Sequence, residues 1–321
     1  QQQQQQQLQQ NQLVYLNFRV YSSGIADAQQ HEWYDRMETM ALENADRIIA
    51  LSDRDKMSLS GLLSKITAKT STPKDIDILL PPLRGDMWKL ATESPDDLKQ
   101  YLPPQIATLL AKATTTTKQR FLLTCVVRQS PEKTVLRFIT FIRETRDLIS
   151  DLGIVPVLAG SRADPEYAAR LKRGLLEIVP DAIVLESFLS PQSLGAIFSR
   201  TILNFHPCAY DAYGMTIVEA AAQGVVSVVA SGKTVGASAL LGVDGGDNNS
   251  SSLIEVDMPK EDETKLDNVD IDKVRALLKD SVKLEMIGEE ARRKALAWDE
   301  AAYGTRLIEI IQQQKPQKRN L

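Results

Sequence analysis

Between two apolar runs, 201–205 and 226–230, lies the segment His206-Pro-Cys-Ala-Tyr-Asp211-Ala-Tyr-Gly214-Met-Thr-Ile-Val-Glu219. Gly214 permits a sharp turn, and a helix opening after it offers the free backbone N–H groups of Met215 and Thr216 to an anion. Glu219 falls one turn beyond Met215 on the same face, where a carboxylate can accept hydrogen bonds from two hydroxyls. Asp211 stands in the loop, free to meet a second polar group. Upstream, the run 121–127 ends in Arg128-Gln-Ser-Pro-Glu-Lys133. Two cations at a helix start can neutralise an anion, the lysine as a point charge and the arginine as a planar fork. Each group also has a plainer reading, as an incidental acid on a capped core helix and as solvated cations flanking a turn.

Such residues need a scaffold, and the apolar pattern supplies one. Strands at 121–127, 155–159, 182–185, 201–205 and 226–230 alternate with helices at 132–149, 165–178, 191–198 and 215–223. Strict alternation implies an α/β fold with a doubly wound parallel sheet covered on both faces, and ligands of such sheets bind at the carboxyl ends of the strands. Both chemical groups fall at such ends. A polar, Gly-rich loop at 244–252 precedes a last strand at 253–256, and 270–311 reads as mostly helical.

The first part of the chain is shorter in pattern. A strand at 13–16, a helix at 31–43 and a strand at 47–51 lead to Ser52 and Asp55, spaced as a capping box that opens a helix through 63. A strand at 76–80 ends in Pro81-Pro82. The 321 residues suggest two domains, and the divisions expected are a disordered Gln-rich tail (1–12), a first domain (13–82), a linker with some helix (83–118), a second domain (119–296) and a C-terminal helix and tail (297–321).

Composition excludes several classes. Lys and Arg total 38 against 42 Asp and Glu, a net charge of -4, so nucleic acid is not an expected partner. No apolar run approaches the roughly 18 residues of a membrane span. Two cysteines, Cys125 and Cys208, and two histidines, His31 and His206, make a disulfide framework or a Cys/His zinc site implausible and favour a reducing, cytoplasmic setting. Ser231-Gly-Lys-Thr234 looks like the end of a phosphate-binding loop but has Ser227 where that motif needs glycine. The Asp53/Asp55, Asp75/Asp77 and Asp270/Asp272 pairs read as helix starts or lie before rather than after an apolar run, so no metal is expected. No Gly-x-Gly-x-x-Gly occurs. His206, beside Pro207, reads as a packed loop histidine rather than a general base.

The acidic segment resembles the E-x7-E signature of the retaining GT-B glycosyltransferases of the family 4, or group 1, type. Asp211 and Glu219 have its spacing, and Gly214, Gly224 and the following apolar strand agree; the departure is Asp211, where the family usually has Glu, a loss of about 1.5 Å of reach. Arg128 and Lys133 resemble the same family's basic pair, and the resemblance spans about residues 32 to 312. It implies a GT-B-like architecture: a donor-binding second domain, preceded by the remnant of a second Rossmann-like domain that would carry the acceptor side.

The resemblance further implies a nucleotide-sugar donor substrate, an acceptor of unknown identity, retention at the anomeric carbon and no metal or other cofactor. Arg128 and Lys133 would then hold the donor diphosphate, Glu219 the ribose and Asp211 the sugar, assisted by the amides of Gly214, Met215 and Thr216. The base would lie near Ser187, Phe188 and Leu189, although singly Phe188 and Leu189 read as core packing. Because the chain begins at Gln1, a longer polypeptide is expected, with peripheral association at the cytosolic face of a membrane left open and little transfer expected from this chain alone. Two other readings stand beside this one: a non-catalytic nucleotide-sugar binding protein derived from the fold, and a GT-B nucleotide-sugar epimerase.

Overall fold

The computed structural model describes residues 13–17, 28–67, 74–112, 121–242, 251–258 and 268–312. The chain divides into two compact units, residues 1–81 with 301–321 and residues 82–300. The expected Gln-rich tail lies outside the described residues.

In the first unit, β1 (Val14–Asn17), α1 (Ala28–Asn44), β2 (Arg47–Ala50), α2 (Asp53–Thr67) and β3 (Ile76–Ile78) alternate, and the three strands form a parallel sheet in the order β1-β2-β3. Leu42, Ile48, Leu59, Leu63 and Ile76 meet in its core. The capping box forms: the Asp55 amide donates to Ser52 Oγ at 3.1 Å, and the Ser52 hydroxyl returns a bond of 2.7 Å to the Asp55 carboxylate. This accounts for Asp55 after a strand as a helix-start residue.

The second unit opens with α3 (Gly85–Thr92), α4 (Pro95–Leu98), a 3-10 turn at Lys99–Tyr101 and α5 (Pro104–Lys112). The stretch read as linker is therefore packed structure over 83–112, with Leu83, Met87, Leu90, Leu98 and Ile106 buried. Its prolines start helices rather than interrupt them, as Pro95 does behind a Ser94 cap, where the missing N–H costs nothing.

There follow β4 (Leu122–Val126), α6 (Leu136–Glu144), α7 (Arg146–Leu152), β5 (Val155–Ala159), α8 (Pro165–Ile178), β6 (Ile183–Leu185), α9 (Pro191–Phe198), β7 (Thr201–Phe205), α10 (Met215–Ala222), β8 (Val226–Ala230), α11 (Ser238–Leu241), β9 (Ile254–Val256), α12 (Asn268–Lys279) and α13 (Ser281–Ala297). A final helix, α14 (Glu300–Gln312), ends the described chain. The six strands are parallel in the order β6-β5-β4-β7-β8-β9. The order reverses between β4 and β7, the switch point at whose carboxyl end a crevice opens in doubly wound folds.

The expected single helix at 132–149 is a 3-10 turn at Pro131–Lys133 followed by two helices. Thr134 adopts a left-handed conformation (φ 47°), which no continuous helix tolerates. Thr145 then bonds its hydroxyl back to the Phe141 carbonyl at 2.7 Å and separates α6 from α7. Phe138, Phe141 and Phe205 form the aromatic centre of the core. Through the sheet, Thr124 Oγ1 bonds Asn204 Oδ1 at 3.2 Å and Asn204 Nδ2 bonds Ser227 Oγ at 2.9 Å, a buried polar rung spanning β4, β7 and β8. Ser227 thus belongs to a strand interior, as the rejection of a phosphate-binding loop requires.

Candidate functional site

The loops that leave β4 and β7 meet at the switch point. After β4 the 3-10 turn turns the chain so that Lys133 reaches across, and its Nζ lies 2.8 Å from Asp211 Oδ2. Thr134 Oγ1 donates to the Pro207 carbonyl at 2.9 Å, and the buried Arg137 guanidinium donates to the same carbonyl at 3.1 Å and to Thr134 Oγ1 at 2.9 Å. His206 is buried at the end of β7, with Nε2 3.3 Å from Asp211 Oδ2, close enough for charge attraction though outside hydrogen-bond geometry.

These neighbours set the charge states. Burial alone would raise Asp211, but His206 and then Lys133 outweigh it and hold the carboxyl well below the usual carboxylate range. Burial alone would lower His206, yet the adjacent Cys208 and the Asp211 carboxylate push it up to about 9. Lys133 is likewise raised, against burial, by Cys208 and Asp211. Asp211 is therefore an anion between two cations. Among the described residues, His206, Cys208 and Asp211 place three ligand-type atoms within 4.8 Å of one another. The Lys133 ammonium on the same carboxylate opposes a metal cation there by simple repulsion.

The helix beyond the loop begins as expected. Gly214 takes φ 84°, and a Cβ there would come within 2.7 Å of Ile217 Cδ1, so the turn into α10 excludes a side chain for two reasons. No side chain caps α10, and the first-turn amides of the partly exposed Met215 and Thr216 have no intrahelical acceptor. The loop after β8 braces this turn: the Asp211 amide donates to the Thr234 carbonyl at 3.3 Å, Gly236 to Asp211 at 3.0 Å and Ala237 to Tyr213 at 2.6 Å.

The remaining predicted residues are dispersed. Glu219 is buried in α10 and pairs with Arg84 at 3.2 Å rather than with Lys133 or Asp211. Burial raises it to about 7, Arg84 pulling downward and Asp86 upward. Arg128 is exposed and pairs with Glu132 at 2.5 Å. Ser187 is exposed, Leu189 half-buried and Phe188 83% exposed on the loop after β6, so core packing does not hold for Phe188. Sequence reasoning missed Arg84, Thr134 and Arg137. The run Pro131-Glu-Lys-Thr134 carried a usable sign for Thr134, since a proline-led turn before a helix invites a non-helical residue; Arg84 carried none.

No protein-family model matches the sequence, and no curated protein does. Solved structures do match. The Anabaena protein HepE in complex with UDP and glucose is similar over 94% of this chain and 71% of that chain, at 17% identity and a TM-score of 0.66. Trehalose-6-phosphate synthase OtsA aligns over 97% of this chain and 69% of that one, at 15% identity and a TM-score of 0.70. Sucrose-phosphate synthase from Thermosynechococcus elongatus aligns over 97% and 69%, at 15% identity and 0.62. Identity at this level speaks to architecture, and the sheet order, the switch point and the neighbours agree: this chain has a Rossmann-like GT-B fold.

Proposed function

We propose that the protein transfers a sugar from a nucleotide-sugar donor to an acceptor hydroxyl, with retention at the anomeric carbon and without a metal. The observation that carries this is the Lys133–Asp211 pair at the switch point, flanked by the uncapped start of α10. A leaving diphosphate needs positive charge where the anomeric C–O bond breaks, and Lys133, Arg128 and the Met215 and Thr216 amides supply cations and dipoles, while the acceptor hydroxyl's proton passes to the departing diphosphate as the new C–O bond forms. Asp211, kept anionic, accepts from sugar hydroxyls and favours the positive charge that develops at the anomeric carbon. Glu219 accepts the ribose hydroxyls, and the exposed Phe188 ring offers a face to the base.

That fold neighbours include HepE with UDP-glucose and an E. coli trehalose-6-phosphate structure bound with UDP-2-fluoro glucose supports a uridine donor. No helix among the described residues is long and apolar enough to cross a membrane. The test is a thermal-shift panel of UDP-, GDP- and ADP-sugars with the corresponding diphosphates, followed by NMR of the product's anomeric configuration. Stabilisation by one nucleotide series and a retained anomer are the expected results; no shift at millimolar ligand overturns the reading.

A further inference from the structure

Glu219 has its side chain only 5% exposed, and its neutral form is favoured by that burial. Covering it is Arg84, Nη2 3.2 Å from the carboxylate, with a side chain 41% exposed. The backbone that presents Arg84 is fixed. Leu83 N–H donates to the Trp298 carbonyl at 2.9 Å, Gly85 N–H to Glu300 Oε1 at 3.1 Å, and the Arg84 carbonyl accepts from Trp88 N–H at 2.9 Å as α3 begins. Asp86 Oδ1 lies 3.4 Å from Arg84 Nε and steadies the guanidinium from the other side. The Tyr213 hydroxyl, buried and without a hydrogen bond, adjoins the same carboxylate.

Of the elements against α10, α3 also brings Asp86, whose charge pushes Glu219 up, and the exposed Lys89. Helix α9 and strand β8 contain no charged residue. On α13, Lys294 donates to the Gly242 carbonyl at 2.8 Å, Arg292 to the Ala91 carbonyl at 2.7 Å, and Arg293 pairs with Glu290 at 2.6 Å. Arg84 is the cation that answers Glu219.

We propose that Arg84 is a positioning residue for nucleotide recognition, holding Glu219 ionised and aimed so that it accepts both ribose hydroxyls, and thereby setting a preference for ribose over a sugar lacking them. The inference rests on the donor-site reading above. A neutral carboxyl turns one of its oxygens into a donor and forfeits a pair of charge-assisted bonds. Glu219 stands at about 7 with Arg84 in place, so removing Arg84 moves it higher and leaves the neutral acid predominant near pH 7.5.

The experiment is calorimetric titration of the protein with UDP and 2′,3′-dideoxy-UDP, and with the GDP and ADP pairs in parallel, between pH 6.5 and 9. Wild type should prefer the ribonucleotide increasingly as pH rises through about 7. In Arg84→Gln that preference should fall about tenfold at pH 7.5, the difference between charged and neutral hydrogen bonds, and return toward pH 9. Arg84→Lys should keep most of it, and Arg84→Gln added to Glu219→Gln should cost nothing further. Should Arg84→Gln not fold, Asp86→Asn decides: removing the acid that pushes Glu219 up must move the wild-type midpoint down. Equal loss for both nucleotides, or an unmoved midpoint in these variants, overturns the inference while leaving the donor site intact. Wild type binding no diphosphate overturns both.

Discussion

The Thr134 hydroxyl donates to the Pro207 carbonyl at 2.9 Å, joining the loop after β4 to the loop after β7. Because Arg137 holds both members of that bond, Lys133 and Asp211 are set opposite each other by neighbours that are themselves hydrogen-bonded. Pre-set charges cost less to use than charges that must be gathered.

Lys133 and Asp211 share an ion pair but should separate in function. Lys133→Met should lower nucleoside diphosphate affinity by about 1.5 to 3 kcal/mol, the worth of a hydrogen bond to a charged group. Asp211→Asn frees the ammonium, so affinity should hold or rise while turnover falls. Calorimetry beside initial rates checks this, and equal loss of affinity in both variants contradicts it.

His206 holds its proton more tightly in the folded protein than when unfolded, so protonation favours the fold. Its contribution is complete below pH 6.5 and is lost as pH rises through about 9. Urea unfolding at pH 6.5, 7.5 and 9 should show stability declining over that window, and His206→Gln should flatten the decline. Glu219, also raised, gives up its share lower, between 4.5 and about 7. A slope unchanged in His206→Gln would deny the charge on that ring.

Two glycines should respond in opposite directions. A Cβ at Gly236 would sit 2.1 Å from the Ala212 carbonyl oxygen, so Gly236→Ala must part the braced loops and should cost about 2 to 4 kcal/mol together with donor affinity. Gly174 lies inside α8, where a Cβ meets Ile139 Cγ2 at an ordinary 3.5 Å, and Gly174→Ala should gain about 0.5 to 1 kcal/mol. Thermal denaturation of both variants is sufficient.

Phe188→Ala removes an exposed ring that packs little of the core, so the melting temperature should stay put. Nucleotide affinity should weaken by about 1 to 3 kcal/mol if a base stacks there. Unchanged affinity for every diphosphate would remove Phe188 from the site.

The elements that were legible in the sequence carry their signals locally. Helices α8 and α9 start at Pro165 and Pro191 behind Asp164 and Ser190 caps, and mainly apolar runs mark β5, β7 and β8. The helix break at Thr134 and Thr145 was hidden because amphipathic spacing continues across it while hydrogen bonds to other residues decide the backbone. The 83–112 stretch read as linker because proline density masks burial, which depends on partners such as Gly195, whose missing side chain lets α9 approach Leu90. Arg84 was invisible for a related reason: a lone arginine acquires meaning only from the acid that folding brings to it.

The pairing of β4 with β7 also has a kinetic side. Lys133 and Asp211 stand 78 residues apart, and their loops leave strands whose register begins at Leu122 opposite Thr201. Closing so long a stretch into a parallel ladder is slow compared with forming the helices between. If the switch point binds the diphosphate as proposed, that binding should appear only once the middle of the sheet has closed, so that during refolding the first uptake of nucleoside diphosphate should mark that closure rather than the earlier collapse of either flank.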